Sequence, residues 1–488
     1  MSKKPFYITT TLPYLNASPH IGFALEIIRA DAIARYKDLM GHEVFFNTGT
    51  DEHGQKIYQA ALDQGKDPQA YVDEIAKEFQ GLKEKLGLYN DIHFVRTTDV
   101  HHKSSAQHFW KICDEAGYIY KKKYKGLYCV GCELFKTEKE LINEECPVHP
   151  GKKPDEIEEE NYFFKFSSFT DDLIALYNAR EDFVKPDFRY NEIKNFVKGG
   201  LEDFSISRVK DRMPWGVPVP GDEDQVMYVW FDALTNYIST LGWPEDSKTF
   251  EKFWVNGTTL QIAGKDNLRQ QSAMWQAMLM AANLPPTDNI IINGFIVSDG
   301  QKMSKSLGNV INPYDLVDEF GVDALRYFIL RHVGLSEDSD VTVEKFKDAY
   351  NANLANGIGN LVSRILKMVT SYSVIFEFPD REDSLEEIQK EESFQEYREA
   401  LESYDFNKAM DFIWKEVGDM DEFIAKEQPF KKIKEDEDTA KEDLAKLLLN
   451  LWYVSILLEP LLPNTAEKIQ EHLAELKMPE EPLFVRKD

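Results

Sequence analysis

Phe6-Tyr7-Ile8-Thr9-Thr10-Thr11-Leu12 is an apolar, β-branched run; Pro13 to Pro19 breaks it, and residues from about His20 to Met40 follow with helical periodicity. Val44-Phe45-Phe46-Asn47 reads as a second strand. Parallel strands need a crossover between them, usually a helix, so strand, helix, strand in this order opens an α/β fold with a doubly wound parallel sheet. Ligands of such sheets collect at the carboxyl ends of the strands. Two loops lie at such ends, residues 13–19 and Thr48-Gly49-Thr50-Asp51-Glu52-His53-Gly54.

Working outward, the pattern changes between about Tyr118 and Trp215 to short strand-like runs around cysteines. Tyr162-Phe163-Phe164-Lys165-Phe166 alternates as a sheet strand does, so this stretch is expected to be an inserted domain. The α/β pattern resumes at Gln225 to Trp230 and Leu260 to Ala263. It continues with a helix from Gln270 to Ala282 and a strand from Asn289 to Ser298, completing the second half of the sheet. Beyond about Asn312 amphipathic stretches dominate, among them Ala349 to Tyr372, Leu385 to Ser403 and Asp436 to Leu458. They predict a terminal helix bundle, with the charged run Lys431 to Asp438 as a solvated helix boundary.

A chain of 488 residues is too long for one ordinary core and is expected to hold several domains. Hydrophobic residues at 43% and aromatics at 12% suffice to fill those cores. A net charge of -28 argues against a nucleic-acid partner, since phosphate binding needs clustered Lys and Arg. It bears on the average surface only, and a local basic stripe can still meet RNA; no DNA partner is expected. The most apolar stretch, Leu447 to Pro463, is interrupted by Asn450, Glu459 and Pro460 and reads as a buried helix, not a membrane span. Phe6-Tyr7-Ile8 is too short for a signal peptide, so a cytoplasmic protein is expected.

Lys302-Met303-Ser304-Lys305-Ser306 follows a strand and Asp299-Gly300, presenting two lysines and two serines on a glycine-flanked loop. Lysine ammonium groups can follow the charge that develops on a departing pyrophosphate, and serine hydroxyls add donors to the same oxygens. His20-Ile21-Gly22-Phe23 stands where the first helix begins, a place that favours anions. There Gly22 lets a purine approach the backbone and His20 can donate to an α-phosphate. The bland alternatives are a solvated basic loop and a helix cap with an incidental histidine.

Cys129-Val130-Gly131-Cys132 and Cys146-Pro147-Val148-His149 form two short-spaced ligand pairs, as a tetrahedral zinc site with three Cys and one His requires. With all four positions filled by protein, one structural zinc ion is expected. Cys113 stands outside as a buried thiol.

The lysine loop and the His20 segment resemble the two signatures of class I aminoacyl-tRNA synthetases. Further segments make the chain similar to the methionyl-tRNA synthetase family in its single-zinc-knuckle form. These are Thr11-Leu12-Pro13-Tyr14, residues 49–54, Tyr228-Val229-Trp230-Phe231-Asp232-Ala233 and Gly264-Lys265-Asp266. The resemblance implies a Rossmann-like catalytic domain over 1–117 and 217–298, split by a zinc-bearing insertion at 118–216. A lysine-loop and stem-contact region at 299–348 and a helical anticodon-binding domain at 349–488 would follow. It implies formation of methionyl adenylate from L-methionine and Mg-ATP, then transfer of methionine to the terminal adenosine of tRNA(Met).

By the same resemblance Leu12, Tyr14, Trp230, Ala233, Tyr237 and Gln271 match the methionine pocket, and Asp51 the carboxylate that holds the α-ammonium. Aromatic faces suit a thioether, and a carboxylate gives an ammonium a charge-assisted bond. His20, Gly22, Gly264, Asp266, Lys302 and Lys305 match the ATP site, with His20, Lys302 and Lys305 catalytic. Asn360, Arg364 and Phe430 match positions that read the anticodon, where amide and guanidinium groups bond base edges and an aromatic stacks. Taken without the resemblance, Trp230 and Tyr237 are ordinary core aromatics, and Asn360 and Arg364 a helix surface.

Four positions depart from the family pattern: Phe23 and Gln271 stand where many relatives have histidine, Asn267 where many have an apolar residue, and Phe430 where many have tryptophan. A synthetase for isoleucine, valine, leucine or cysteine is the nearest rival, but the insertion is too short for a large editing domain and the cysteine cluster looks structural. A non-catalytic tRNA-binding paralogue is the rival from another class; intact His20, Gly22, Lys302 and Lys305 speak against it. The chain ends soon after the bundle, and a monomer is expected.

Overall fold

The computed structural model describes residues 3–16, 18–130, 134–136, 138, 141–147, 151–298, 300–302, 311–335 and 337–488. The chain divides into two compact units. One comprises Met1–Pro19, His42–Gly81 and Asn90–Asn293; the other His20–Gly41, Leu82–Tyr89 and Gly294–Asp488.

The first unit is built on a six-stranded sheet in the order Ile92–Arg96, Glu43–Thr50, Pro5–Thr10, Thr258–Gly264, Asn289–Asn293, Val184–Lys185. Every neighbouring pair runs parallel. Such strands are covered on both faces, which is why Phe6-Tyr7-Ile8 and Leu260 to Ala263 are continuous buried runs and not alternating ones. Strand order reverses at Pro5–Thr10, whose neighbours are Glu43–Thr50 on one side and Thr258–Gly264 on the other. That is the switch point of a doubly wound sheet, and it places the crevice beyond Thr10, Thr50 and Gly264.

Val184–Lys185, drawn from the segment 118–216, pairs with Ile290 and Ile291 as the edge strand. Tyr177, Phe183, Tyr190 and Val197 share one apolar core with Phe109, Trp110, Phe231, Trp275 and Ile292. The remainder of that segment forms a long antiparallel ribbon, Ile119–Cys129 against Asp155–Phe164, registered from Ile119↔Phe164 to Tyr128↔Asp155. Charge sets this register: Lys123 faces Glu160 and Lys125 faces Glu158, and opposite charges across a strand pair are stabilising. A short strand, Leu134–Lys136, pairs with the end of the ribbon so that Cys129 stands opposite Leu134.

Two expected strands are placed differently. Residues 225–230 do not enter the parallel sheet; Asp222–Met227 belongs to a separate three-stranded antiparallel sheet, and Val229–Leu234 is already helical. The run Asn289 to Ser298 is not one strand. Asn289–Asn293 lies in the parallel sheet, and Ile296–Ser298 pairs in the second unit with Gln301–Lys302 and Ser339–Asp340. Gly294 and Phe295 make the break, and glycine is required there because a Cβ at 294 would lie 2.4 Å from the Glu337 carbonyl oxygen.

The second unit is mainly helical. Its helix Ile21–Leu39 is buried along most of its length on nearly every side, charged residues such as Glu26, Arg29, Asp31 and Lys37 included, and so lacks the one-sided apolar face of an amphipathic helix. Its charged members are paired inside the unit: Asp31 bridges Arg326 at 2.7 Å and Arg35 at 2.8 Å, and Arg29 donates to the Val333 carbonyl at 2.6 Å. Burial lowers the Arg29 guanidinium to about 9. The expected stretch Ala349 to Tyr372 is not one straight helix: Tyr350–Gly359 is π-helical and kinks at Gly357, whose φ of -88° and ψ of -109° are non-helical, before Asn360–Ser371 continues. Leu385 to Ser403 is two helices, Arg381–Lys390 and Phe394–Glu402. The last long helix, Glu437–Leu458, is capped by Asp436, whose carboxylate accepts the Thr439 amide N–H. No described helix is long and apolar enough to cross a membrane.

Candidate functional site

Three chain segments leave the switch point of the sheet in the first unit. After Pro5–Thr10 come Leu12 and Tyr14, after Glu43–Thr50 comes Asp51, and after Thr258–Gly264 comes Asp266. The first two are joined by backbone: Leu15 donates to the Asp51 carbonyl at 3.1 Å and Asp51 to the Pro13 carbonyl at 3.0 Å, bridging Tyr14 and Asp51. Asp51 is buried.

The residues after Asp51 are locked. Glu52 accepts from Thr50 at 2.6 Å, Thr98 at 2.5 Å and the Arg96 fork at 2.7 and 2.8 Å. Burial alone would lower the Arg96 guanidinium, but Glu52 and Asp73 hold it above its ordinary value. The Glu52 carbonyl accepts the Trp215 indole N–H at 2.6 Å. His53 Nδ1 lies 2.6 Å from Asp232 Oδ2, and His102 Nε2 lies 2.9 Å from Asp232 Oδ1. His102 Nδ1 is in turn 2.9 Å from the Ser239 hydroxyl, and all three ionisable groups are buried.

Asp232 sits on the helix Val229–Leu234, which also carries Trp230 and Ala233. Tyr14 and Trp230 pack together against Tyr128, Tyr228 and Val229. Among the described residues the buried Trp230 indole N–H has no hydrogen-bond partner, and neither has the Gln271 Oε1 atom. Both atoms are therefore available to a bound ligand, as are buried polar atoms at other places in the chain such as Trp275 Nε1. Tyr237 is buried edge-on to Trp275 at 5.8 Å.

In the second unit, His20 caps the helix Ile21–Leu39 and is exposed, its Nδ1 accepting the Gly22 amide N–H at 3.1 Å. Nδ1 is thereby an acceptor, so the neutral imidazole carries its proton on Nε2 and presents a donor there. A Cβ at Gly22 would lie 2.9 Å from the His20 ring, so glycine keeps that ring in place. Of the lysine loop, Lys302 is described by its backbone, paired with Val297, and Lys305 lies outside the described residues.

Of the four predicted metal ligands, Cys132 and His149 lie outside the described residues. Cys129 closes the ribbon and Cys146 follows the tight Ile142↔Glu145 bridge, and both are buried. Buried sulfurs at the ends of two turns fit a thiolate-rich zinc site by the chemistry of the donor set. Among the described residues there is no group of three or more ligands. Cys113 is a buried free thiol pushed up by that burial.

A cavity of about 280 Å³ in the helical unit is lined by Arg364, Lys367, Met368, Ser371, Tyr372, Ile424 and Phe430. It brings Arg364 and Phe430 together, whereas Asn360 is exposed one turn earlier and does not line it. Arg364 pairs with Asp421, whose carboxyl is raised by burial against the opposing pull of Arg364.

The residues sequence reasoning left without a role are His53, Asp232 and His102. Each reads singly as a satisfied core group, and only the fold joins positions up to 179 residues apart.

The family model for tRNA synthetases class I (M) matches residues 6–156 and 137–366, and that for the anticodon binding domain of methionyl tRNA ligase matches 377–482. The chain is 41% identical to a methionine--tRNA ligase of Thermotoga maritima over 477 residues, 95% of this chain and 74% of that one. It is 40% identical to one from a Nostoc species over 97% of this chain and 90% of the other. Among solved structures it is similar to Mycobacterium tuberculosis methionyl-tRNA synthetase in complex with methionyl-adenylate. The TM-score is 0.88, at 38% identity over 96% of this chain and 93% of that one.

Proposed function

The chain belongs to the methionine family of class I tRNA synthetases, and from that premise we infer that it activates methionine with ATP and charges tRNA with the product. The methionine carboxylate attacks the α-phosphate of Mg-ATP and pyrophosphate departs, leaving methionyl adenylate. A hydroxyl of the terminal adenosine of tRNA(Met) then takes the methionyl group and AMP leaves. No protein nucleophile takes part, so positioning and electrostatics carry the acceleration.

The observation that carries the reading at residue level is the convergence of Leu12, Tyr14, Asp51 and Asp266 at the carboxyl ends of three adjacent strands. Asp51 holds the α-ammonium, and Leu12, Tyr14, Trp230, Ala233, Tyr237 and Gln271 surround the thioether. In place of a histidine, Gln271 offers a carbonyl oxygen that accepts but does not titrate. Gly264 and Asp266 take the nucleoside. His20 donates from Nε2 to the α-phosphate, Gly22 admits the purine, and Lys302 and Lys305 neutralise the departing pyrophosphate.

Cys129, Cys132, Cys146 and His149 hold one zinc ion, which ties the insertion together and meets no substrate. Arg364 and Phe430 receive anticodon bases, and Asn360, one turn before Arg364 on its helix, takes part in the same reading. The protein acts in the cytoplasm as a monomer.

Methionine-dependent exchange of pyrophosphate into ATP tests the activity. Exchange with methionine and not with isoleucine, valine, leucine or cysteine is expected. Its absence from a folded, zinc-loaded protein would remove the reading, and metal analysis of the same sample should return about one zinc per chain.

A further inference from the structure

We propose that His53, Asp232 and His102 form a positioning brace that sets the methionine pocket, a claim that rests on the methionine-activating reading above. His53 is two residues from Asp51, and Asp232 lies between Trp230 and Ala233, so the His53–Asp232 bond at 2.6 Å ties the ammonium-binding segment to the thioether-binding helix. The bond from Asn47 to Asn236 at 3.2 Å adds a second tie nearby, and Tyr14 and Trp230 pack against the same aromatic cluster.

The protonation of the brace follows from its chemistry. An ionised carboxylate only accepts, so Nδ1 of His53 and Nε2 of His102 both carry protons toward Asp232. On its other side His102 Nδ1 lies 2.9 Å from the Ser239 hydroxyl, on the helix that carries Tyr237. One carboxylate thus orients three segments that present Asp51, Trp230 and Tyr237. Burial alone would raise the Asp232 carboxyl, but the two imidazoles hold it down to about 2, so the acceptor is ionised under assay conditions. None of the three residues is assigned to touch ATP or methionine. They act through Asp51, Trp230 and Tyr237.

Pocket geometry serves methionine equally before and during reaction, so its loss weakens ground-state and transition-state binding together and appears in KM. The test is exchange kinetics on the full chain with His53→Ala and His53→Asn. Asparagine Nδ2 occupies nearly the place of histidine Nδ1 and keeps a donor toward Asp232. His53→Ala is expected to raise KM for methionine about tenfold or more, with kcat and KM for ATP within about twofold of the parent. His53→Asn is expected to restore most of the difference.

If KM for ATP moves as far as KM for methionine, or if the two substitutions behave alike, the brace has only a structural role and the proposal falls. If His53→Ala does not fold, His102→Ala against His102→Gln repeats the comparison, since glutamine Nε2 replaces histidine Nε2. The parent enzyme in the same assay separates the two claims: no exchange there sinks the activity, whereas parental exchange with unshifted variants sinks only the brace.

Discussion

At the scale of single residues, His20 illustrates what kind of information sequence carries and where it stops. Its place before a helical run marks a cap and suits an anion, but the Gly22 N–H to Nδ1 bond that sets its tautomer follows only from the folded arrangement. Gly22→Ala puts a Cβ 2.9 Å from the imidazole, so the ring must leave its cap position. We expect kcat for exchange to fall about tenfold or more with KM for methionine within about twofold, because the lost donor serves the transition state. Equal kcat would remove Gly22 from that role. Asp232 carries a second prediction. Its carboxyl, held down to about 2 by His53 and His102 against an ordinary 3.8, contributes stability that is fully present above the unfolded value. That contribution, about 2 kcal/mol, is lost as pH falls from about 4 through about 2. Urea unfolding of the parent and Asp232→Asn should therefore show a gap in stability that narrows between pH 5 and pH 3; a gap that widens would contradict the assignment. These three groups were unreadable in sequence because each, alone, satisfies the pattern of a core position.

At the scale of elements, what was legible followed local periodicity and capping. The first strand, the helix after it and the helix ended by Leu458 appear within three residues of expectation, since apolar spacing and Asp436 as a cap specify them locally. What was not legible depended on partners distant in the chain. Asn289 to Ser298 reads as one apolar run, yet it serves two sheets because Gly294 allows the chain to pass against the 337–338 backbone. Gln225 to Trp230 is apolar enough to suggest a strand, but nothing in its residues says which sheet takes its first part. Val184–Lys185 is too short to show a period at all. Gly294→Val tests the first case. Its Cβ would stand 2.4 Å from the Glu337 carbonyl oxygen and 2.6 Å from the carbon, both backbone atoms that cannot rotate away. A loss of about 2 kcal/mol or more in chemical unfolding is expected, as for overpacking elsewhere. Gly81→Ala, where a Cβ meets nothing within 4 Å inside a helix, is the control and should be neutral or slightly stabilising. Equal stability of the two variants would show that the break tolerates a side chain.

At the scale of the whole molecule, a chain of net charge -28 has to meet tRNA through a few local cations, since its average surface repels phosphate. The cavity lined by Arg364, Lys367, Tyr372 and Phe430 offers two cations and two aromatic rings, a combination suited to unpaired bases. Arg364 is half-buried and paired with Asp421, so it is held in one orientation and not left to sweep the surface. Adenylate formation uses none of these groups, and the two half-reactions should therefore separate. Arg364→Gln is expected to lower kcat/KM for tRNA in aminoacylation by about tenfold to a hundredfold, the range of one lost base contact, while methionine-dependent exchange stays within about twofold. Asp421→Asn keeps Arg364 but weakens its anchor, and a smaller loss of the same kind should follow. A fall in exchange matching the fall in charging would instead mean that Arg364 supports the fold of the helical unit. Thermal unfolding of the two variants distinguishes that case, because a lost base contact leaves the free protein's midpoint in place and a lost scaffold lowers it.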